Sequence, residues 1–300
     1  MDFQPTINEI HINSPGYPPP LQEIAAPPQI LYYRGSLPDP TPALFAIVGT
    51  RKATRDGISL ARRIARELAE RGFGSVSGLA FGIDAAAHEG TLEGGGTTFA
   101  VLANGLDSIY PVYHERLALK ILERNGGLLS EYPVSTPALP HHFLERNRIV
   151  AGLALATIVI EAPVHSGALV TARLAAEHGR DVFVFPGPAG HAHYTGSHHL
   201  IRTGARLVSS LADIMEDLQG EFSFMTDAQS PSRVSLPSLS QEERELCSLL
   251  KESGSGHTLD QLVALTGKEP WIINQKLTPL IMKGVVEEKP GGVFSIQSQL

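Results

Sequence analysis

The sequence predicts an α/β fold with a mostly parallel sheet, followed by a small C-terminal winged-helix-like domain. Three observations carry this expectation. From Phe45 onward, short β-like runs alternate with longer helical ones. Strands such as FAIVG and TIVIEA are apolar on both faces, which suits a parallel sheet covered by helices on both sides. Beyond a Ser/Pro-rich stretch, residues 241–300 read as three helical segments and a hairpin.

The elements follow in order. Ten of the 22 prolines fall before residue 43, so residues 1–42 are expected to be a proline-rich extension packed along the core, not a helical domain. The core, residues 43–224, begins with FAIVG and a helix over about 57–71, GSVSG and a helix over about 82–94, then TTFAVLA and a helix over about 114–125. GGLLSEY, TIVIEA, a helix over about 167–179, DVFVFPG, and ARLVSS before a helix over about 211–218 complete the alternation. MTDAQSPSRVSLPSLS, residues 225–240, is a linker. The segment after it opens with a capping-box pattern, Ser240 and Glu243, and its hairpin turns at Pro290–Gly292.

Composition narrows the classes. The hydrophobic fraction of 42% over 300 residues is enough for a large core and favours two domains. No run reaches the roughly 18 apolar residues of a membrane span, and MDFQPTINEI lacks a signal peptide's pattern, so a cytoplasmic location is expected. One cysteine, Cys247, excludes an intramolecular disulfide framework. The net charge of −7 argues against a generally basic nucleic-acid binder, yet residues 51–71 carry seven basic groups against three acidic ones. Arg62, Arg63 and Arg66 within that excess read as a solvated helix face. In residues 241–300 six basic groups face eight acidic ones, so a winged helix there is as suited to protein contact as to DNA.

Three strand-to-helix junctions carry chemistry. AIVGTRKATRDG places Gly49, Thr50 and Arg51 at the end of the first strand, as phosphate contacts or as a tight turn; neither GxGxxG nor GxxxxGK[ST] is present. SVSGLAFGIDAAAHEG places Ser77, Gly78 and Gly82 at the second, with Asp84 and His88 one turn apart and more suited to a structural pairing than to acid–base work. EAPVHSGALVTARLAAEHG ends a strand at Glu161 and sets Ser166–Gly167 where a helix begins, either as that helix's own cap or, with Thr171 and Arg173, as an anion site. Such junctions open together on the carboxyl edge of the sheet, where α/β ligands bind.

FLERNRIVAGLA adds a fourth feature. Arg146 and Arg148 are two apart, so only one can point into a given cleft. In one reading an arginine grips phosphate, Asn147 fixes a backbone or sugar contact, and Phe143 offers a stacking surface. In the other, Asn147 caps the helix, Phe143 closes the core, and the arginines pair with Glu145 and Glu161. The twelve histidines, clustered at 141–142, 191–193 and 198–199, make no HExxH, and no metal site or cofactor is expected. GPAGHAHYTGSHHL reads as a Gly-rich loop beside the cleft.

VGTR, SGLAFGIDAAAH, LANGLDSIYP, LLSEYP, FLERNRIVAGLA, EAPVHSGALVTA and VFPGP with TGSHHLI, in this order, resemble the DNA processing protein A (Smf) family from about Tyr32 to about Ser209. The resemblance implies an extended Rossmann-like core that binds single-stranded DNA, forms homodimers, and helps load the RecA recombinase in natural transformation, with no catalytic role. Carried over, its phosphate-gripping pocket is Gly49, Thr50 and Arg51, Ser77 and Gly78, Arg146, Asn147 and Arg148, and Ser166 and Gly167. The sequence departs from the pattern in Thr50 for a serine, in Leu144–Glu145 for a proline-containing lead, and in SHHLI for a Gly-Asn-Leu-Ile ending. Two rivals stand beside this reading. A nucleotide-monophosphate enzyme of related fold needs PGGxGTxxE, and PGPAG at 186–190 has no GTxxE after it; a protein-interaction scaffold is favoured only by the acidic last domain.

Overall fold

Short apolar strands set the sheet, and their pairing sets where it opens. The computed structural model describes residues 6–39, 43–226, 246, 249–250, 257–282, 286–289 and 293–296, and the chain divides into two units, residues 1–220 and 221–300. The first unit holds a nine-stranded sheet. Its strands are β1 (Asn8–His11), β2 (Ile30–Gly35), β3 (Leu44–Val48), β4 (Gly74–Ser77), β5 (Thr98–Val101), β6 (Gly127–Ser130), β7 (Ala156–Val159), β8 (Asp181–Val184) and β9 (Arg206–Leu207). The order across the sheet is β1-β2-β6-β5-β4-β3-β7-β8-β9. Every neighbouring pair from β6 to β9 is parallel, while β2 runs antiparallel to both β6 and β1.

The chain lays β3 to β6 in one direction, then returns to put β7 beside β3 and continues the other way. Connections therefore diverge between β3 and β7, and the crevice beyond the carboxyl ends of those strands is left open. All of β3 and β7 is buried, as two-sided apolar strands require.

Helices cover both faces: α1 (Pro19–Gln22), α2 (Arg55–Glu70), α3 (Ile83–Glu93), α4 (Glu115–Glu123), α5 (Pro140–Leu153), α6 (Gly167–Glu177), α7 (Thr195–Arg202) and α8 (Leu211–Thr226). Thr54 caps α2 by accepting from Gly57 N, and Gly57, Ala61, Ile64, Ala65 and Leu68 form its buried stripe. α2 meets α3 backbone to backbone, because a Cβ on Gly90 or Gly94 would strike the Arg62 or Arg66 main chain.

Three segments differ from expectation. α5 starts well before IVAGLA: Leu139 is its N-cap and Pro140 occupies the first turn, where a missing N–H costs nothing. Asn147 therefore lies mid-helix and caps nothing. The stretch read as a Gly-rich loop runs into α7, whose Gly196 and Ser197 are buried because only a small residue lets that turn lie against the Ala162 and Pro163 carbonyls. The first residues are more than extended chain: β1 and β2 add to the sheet, and Tyr17, Leu21, Ile24 and Leu31 join the main core. The Tyr17 hydroxyl donates to the Pro28 carbonyl at 2.8 Å, so the prolines flank these strands and shape the turn between them.

The second unit contains β10 (His257–Thr258), α9 (Leu259–Thr266), α10 (Pro270–Met282), β11 (Val286–Lys289) and β12 (Val293–Ile296). Its antiparallel sheet has the order β10-β12-β11, and Leu246, Leu250, Leu262, Ile273, Leu277, Leu280, Val286 and Phe294 form its core. A reciprocal capping box is formed by Thr258 and Gln261. Ser240 and Glu243, Cys247, Pro290–Gly292 and linker residues 227–240 lie outside the described residues, whereas Met225 and Thr226 belong to α8. Among the described residues no helix is long and apolar enough to cross a membrane.

Candidate functional site

A cleft of about 640 Å³ opens where the connections diverge. Residues following β3 (Gly49, Thr50, Arg51, Lys52), β4 (Gly78, Ala80) and β7 (Pro163, His165, Ser166, Gly167) line it, and α5 forms a further wall. The first loop turns tightly because Thr50 N donates to the Glu161 carbonyl at 2.7 Å and Lys52 N donates to Thr50 Oγ1 at 3.2 Å. A Cβ on Gly49 would collide with Ile83, which fixes glycine there. The second loop carries Leu79 and Gly82 at φ 56° and 77°, the left-handed region that a leucine adopts only under constraint. The third ends in Ser166, which caps α6 by accepting from Ala168 N at 3.2 Å, so the electropositive end of α6 faces the cleft.

On α5, Arg146 turns inward and is 3% exposed. Its guanidinium donates to the Val101 carbonyl and lies against Gly78, where any Cβ would displace it. Gly78 is therefore room for an arginine. Burial pushes Arg146 down to about 10, with Asp84 opposing that shift and Arg51 adding to it, so it stays charged at neutral pH. Burial raises Asp84, against the pull of Arg146 and of the Ala80 and Gly78 amides. Asp84 accepts from Gly78 N at 3.1 Å and Ala80 N at 3.4 Å, holding the β4–α3 loop.

Charge and aromatics complete the cleft. Arg51, Lys52 and Arg146 line it against one carboxylate, Asp84. Arg51 and Lys52 are exposed and form no ion pair among the described residues. Arg51 lies 4.8 Å over the Phe143 ring, which meets Tyr110 at 5.6 Å. Phe143 is thus sandwiched, while Tyr110 is 48% exposed and lines the same wall. Asn147 donates to the Gly167 carbonyl at 3.3 Å, tying α5 to α6 across the cleft.

Nine of the expected residues line this space: Gly49, Thr50, Arg51, Gly78, Phe143, Arg146, Asn147, Ser166 and Gly167. Two stand apart. Ser77 is fully buried and its hydroxyl donates to the Ile47 carbonyl at 2.7 Å. Arg148, two positions from Arg146 and so on another helix face, pairs with Glu131, and neither side chain is more than 20% exposed. Glu145 accepts from the Tyr132 hydroxyl instead of pairing with either arginine. Lys52 and Tyr110 went unnoticed as separate candidates, although each stands inside a quoted motif. Arg62, Arg63 and Arg66 form surface pairs with Glu93, Glu67 and Glu70.

Beside the cleft, Glu161 is fully buried. It accepts from Thr54 N at 3.0 Å, from the Thr54 hydroxyl, from the Tyr194 hydroxyl at 2.8 Å and from His193 Nδ1 at 3.4 Å. Burial pushes its carboxyl up, but these bonds outweigh that and hold it below its ordinary value. His88 does not hydrogen-bond Asp84; its Nδ1 meets Thr98 Oγ1 at 2.7 Å in a cluster with Ser75 and Thr91. Burial lowers His88 to about 3, keeping it neutral.

Comparison with known proteins places this geometry. A family model described as DNA recombination-mediator protein A matches residues 8–219. Protein Smf of Escherichia coli strain K12 is 38% identical over 98% of this chain and 79% of its own length. DNA processing protein A of Streptococcus pneumoniae superimposes with a TM-score of 0.66 at 39% identity, covering 70% of this chain and 74% of that one. DNA processing protein A from Helicobacter pylori, solved for its single-stranded DNA binding mode, has a TM-score of 0.63 at 30% identity and covers 73% of this chain and 98% of that one. With a family match over most of its length and relatives on both counts, the chain belongs to the DNA recombination-mediator protein A family.

Proposed function

We propose that the chain binds single-stranded DNA in the cleft beyond β3 and β7. The observation that carries this reading is the cleft's charge, three cations against one carboxylate in a chain of net charge −7. Phosphates would run past the Gly49–Lys52 loop and the start of α6, held by Arg51, Lys52, the Thr50 and Ser166 hydroxyls and backbone amides. Arg146 supplies charge from below, with Gly78 making room for it, and Asn147 with Gly167 holds the two walls together. Tyr110, more than Phe143, offers the face on which an unstacked base could lie, which favours a single strand over a duplex. Ser77 and Arg148 act through the frame in this reading.

A recombination mediator works by binding DNA and not by catalysis, and the finer assignments extend that reading. The chain protects incoming single strands and helps load a RecA-type recombinase in natural transformation and recombination, as a cytoplasmic homodimer. Two clefts on one particle would raise avidity for a longer strand. Among the described residues, α9, α10 and the three-stranded antiparallel sheet of the second unit support a winged-helix-like domain over residues 241–300, after a linker at 227–240. Its acidic balance suits a protein contact.

The test is an anisotropy titration competed by single-stranded oligonucleotide, duplex of equal length and a nucleoside monophosphate. The single strand should compete best, with little sequence preference and with affinity falling as salt rises. Duplex or mononucleotide competing equally at low salt would overturn the reading. Light scattering of the purified chain tests the dimer.

A further inference from the structure

α5 opens with PHHFLE, a run that the cleft uses only at Pro140, Phe143 and Leu144. His141 lies four residues before Glu145 and His142 three before it, so each is one turn from the carboxylate, and the two adjacent imidazoles meet at 4.4 Å. One ligand atom from each lies within 4.8 Å of the others. The order is HHxxE, which is not the HExxH pattern: the histidines are adjacent, and each lies one turn before the glutamate.

The surroundings orient these groups as ligands. His142 is 8% exposed, stacks on Tyr132 at 4.0 Å, and donates from Nδ1 to the Pro137 carbonyl at 3.2 Å. That bond leaves Nε2 as the nitrogen with the lone pair. Glu145 accepts from the Tyr132 hydroxyl through Oε2 at 2.7 Å, which leaves Oε1 free of that bond. A ring N–H on a carbonyl and a carboxylate held by a hydroxyl are the outer contacts that fix metal ligands elsewhere.

We propose that His141, His142 and Glu145 form a site for one late first-row divalent cation of the Zn²⁺ type, completed by water. Ligand atoms on a tetrahedral zinc lie about 3.4 Å apart, a closure that rotation of the exposed His141 and Glu145 side chains supplies. Two imidazoles select zinc-like ions over Mg²⁺ or Ca²⁺, which need oxygen cages. The electropositive start of α5 also disfavours a cation held by weak ligands alone. A bound ion would neutralise Glu145 on the helix that walls the cleft.

The full chain, stripped with a chelator and confirmed folded by circular dichroism, is titrated with Zn²⁺ and separately with Mg²⁺ by calorimetry, without DNA. One Zn²⁺ per chain is expected, with no Mg²⁺ heat. His141→Ala and Glu145→Gln should abolish binding, and Tyr132→Phe should weaken it about tenfold. The double variant His198→Ala, His199→Ala, in another histidine cluster, should bind as wild type. Absence of Zn²⁺ binding by the folded chain, or binding that survives both His141→Ala and Glu145→Gln, would overturn the proposal and leave the DNA reading untouched.

Discussion

The same edge of the sheet carries two polar regions that are opposite in kind. Around Glu161 both carboxylate oxygens are used: Thr54, Tyr194 and His193 converge on one buried carboxylate. In the neighbouring cleft, Arg51 and Lys52 are exposed and form no ion pair among the described residues, while the helix α6 begins toward them. Thr54 and Glu161, like Arg51, Lys52 and the start of α6, come from just beyond β3 and β7, whereas Tyr194 and His193 arrive from beyond β8. The difference teaches that a polar residue at a strand end is not by itself a ligand-binding residue. Spent hydrogen-bonding capacity builds the frame, and spare capacity facing open space is what a ligand can use.

This contrast breaks if frame variants damage binding without damaging folding, or the reverse. The largest effect of a substitution at neutral pH is expected at Glu161→Ala, which leaves the buried Tyr194 hydroxyl and the half-buried Thr54 hydroxyl without their acceptor. It should cost about 3 kcal/mol, read as a melting temperature lower by roughly 10 °C. Next comes the pH dependence of His88. An unfolded histidine takes a proton below its ordinary 6.5, whereas the folded one does so only near 3, so acid favours the unfolded chain between those values. Urea midpoints should fall from pH 6.5 towards 3, and His88→Asn should remove up to about 1.4 kcal/mol per pH unit of that slope. In the cleft, Arg51→Ala should weaken single-strand binding about tenfold at low salt with an unchanged melting temperature. Tyr110→Ala should cost about 1 kcal/mol, measured as a roughly fivefold loss that persists at high salt, since stacking releases no counterions.

Much of this organisation was legible in the sequence. The two-sided apolar strands FAIVG and TIVIEA became β3 and β7, and the junction glycines marked where the sheet opens. The two-residue spacing of Arg146 and Arg148 required them to part, and they do, one to the cleft and one to Glu131. Which went where was not legible, because it depends on Glu131 arriving from the end of β6, beyond any local pattern. The start of α5 was hidden for a different reason: Pro140 can open a helix as readily as break one, and only the cap geometry decides. α7 was hidden by a loop-like composition of glycine and histidine, in which Gly196 serves close packing against Ala162 and Pro163. Gly78 was legible as a special position but not for its reason, since its partner is a guanidinium from a distant helix.

The central claim is that the strand is held by the exposed cations of the β3 loop and not by every arginine in the triplet of α5. Anisotropy titrations with a single-stranded oligonucleotide across a salt series, on wild type, the double variant Arg51→Ala with Lys52→Ala, and Arg148→Ala, test it most directly. The double variant should bind more weakly and lower the slope of log affinity against log salt by about 1.4, two contacts at roughly 0.7 each. Arg148→Ala should keep the wild-type slope while melting earlier, having lost its pair with Glu131. An unchanged slope in the double variant, or a lowered slope in Arg148→Ala with normal melting, would contradict the claim.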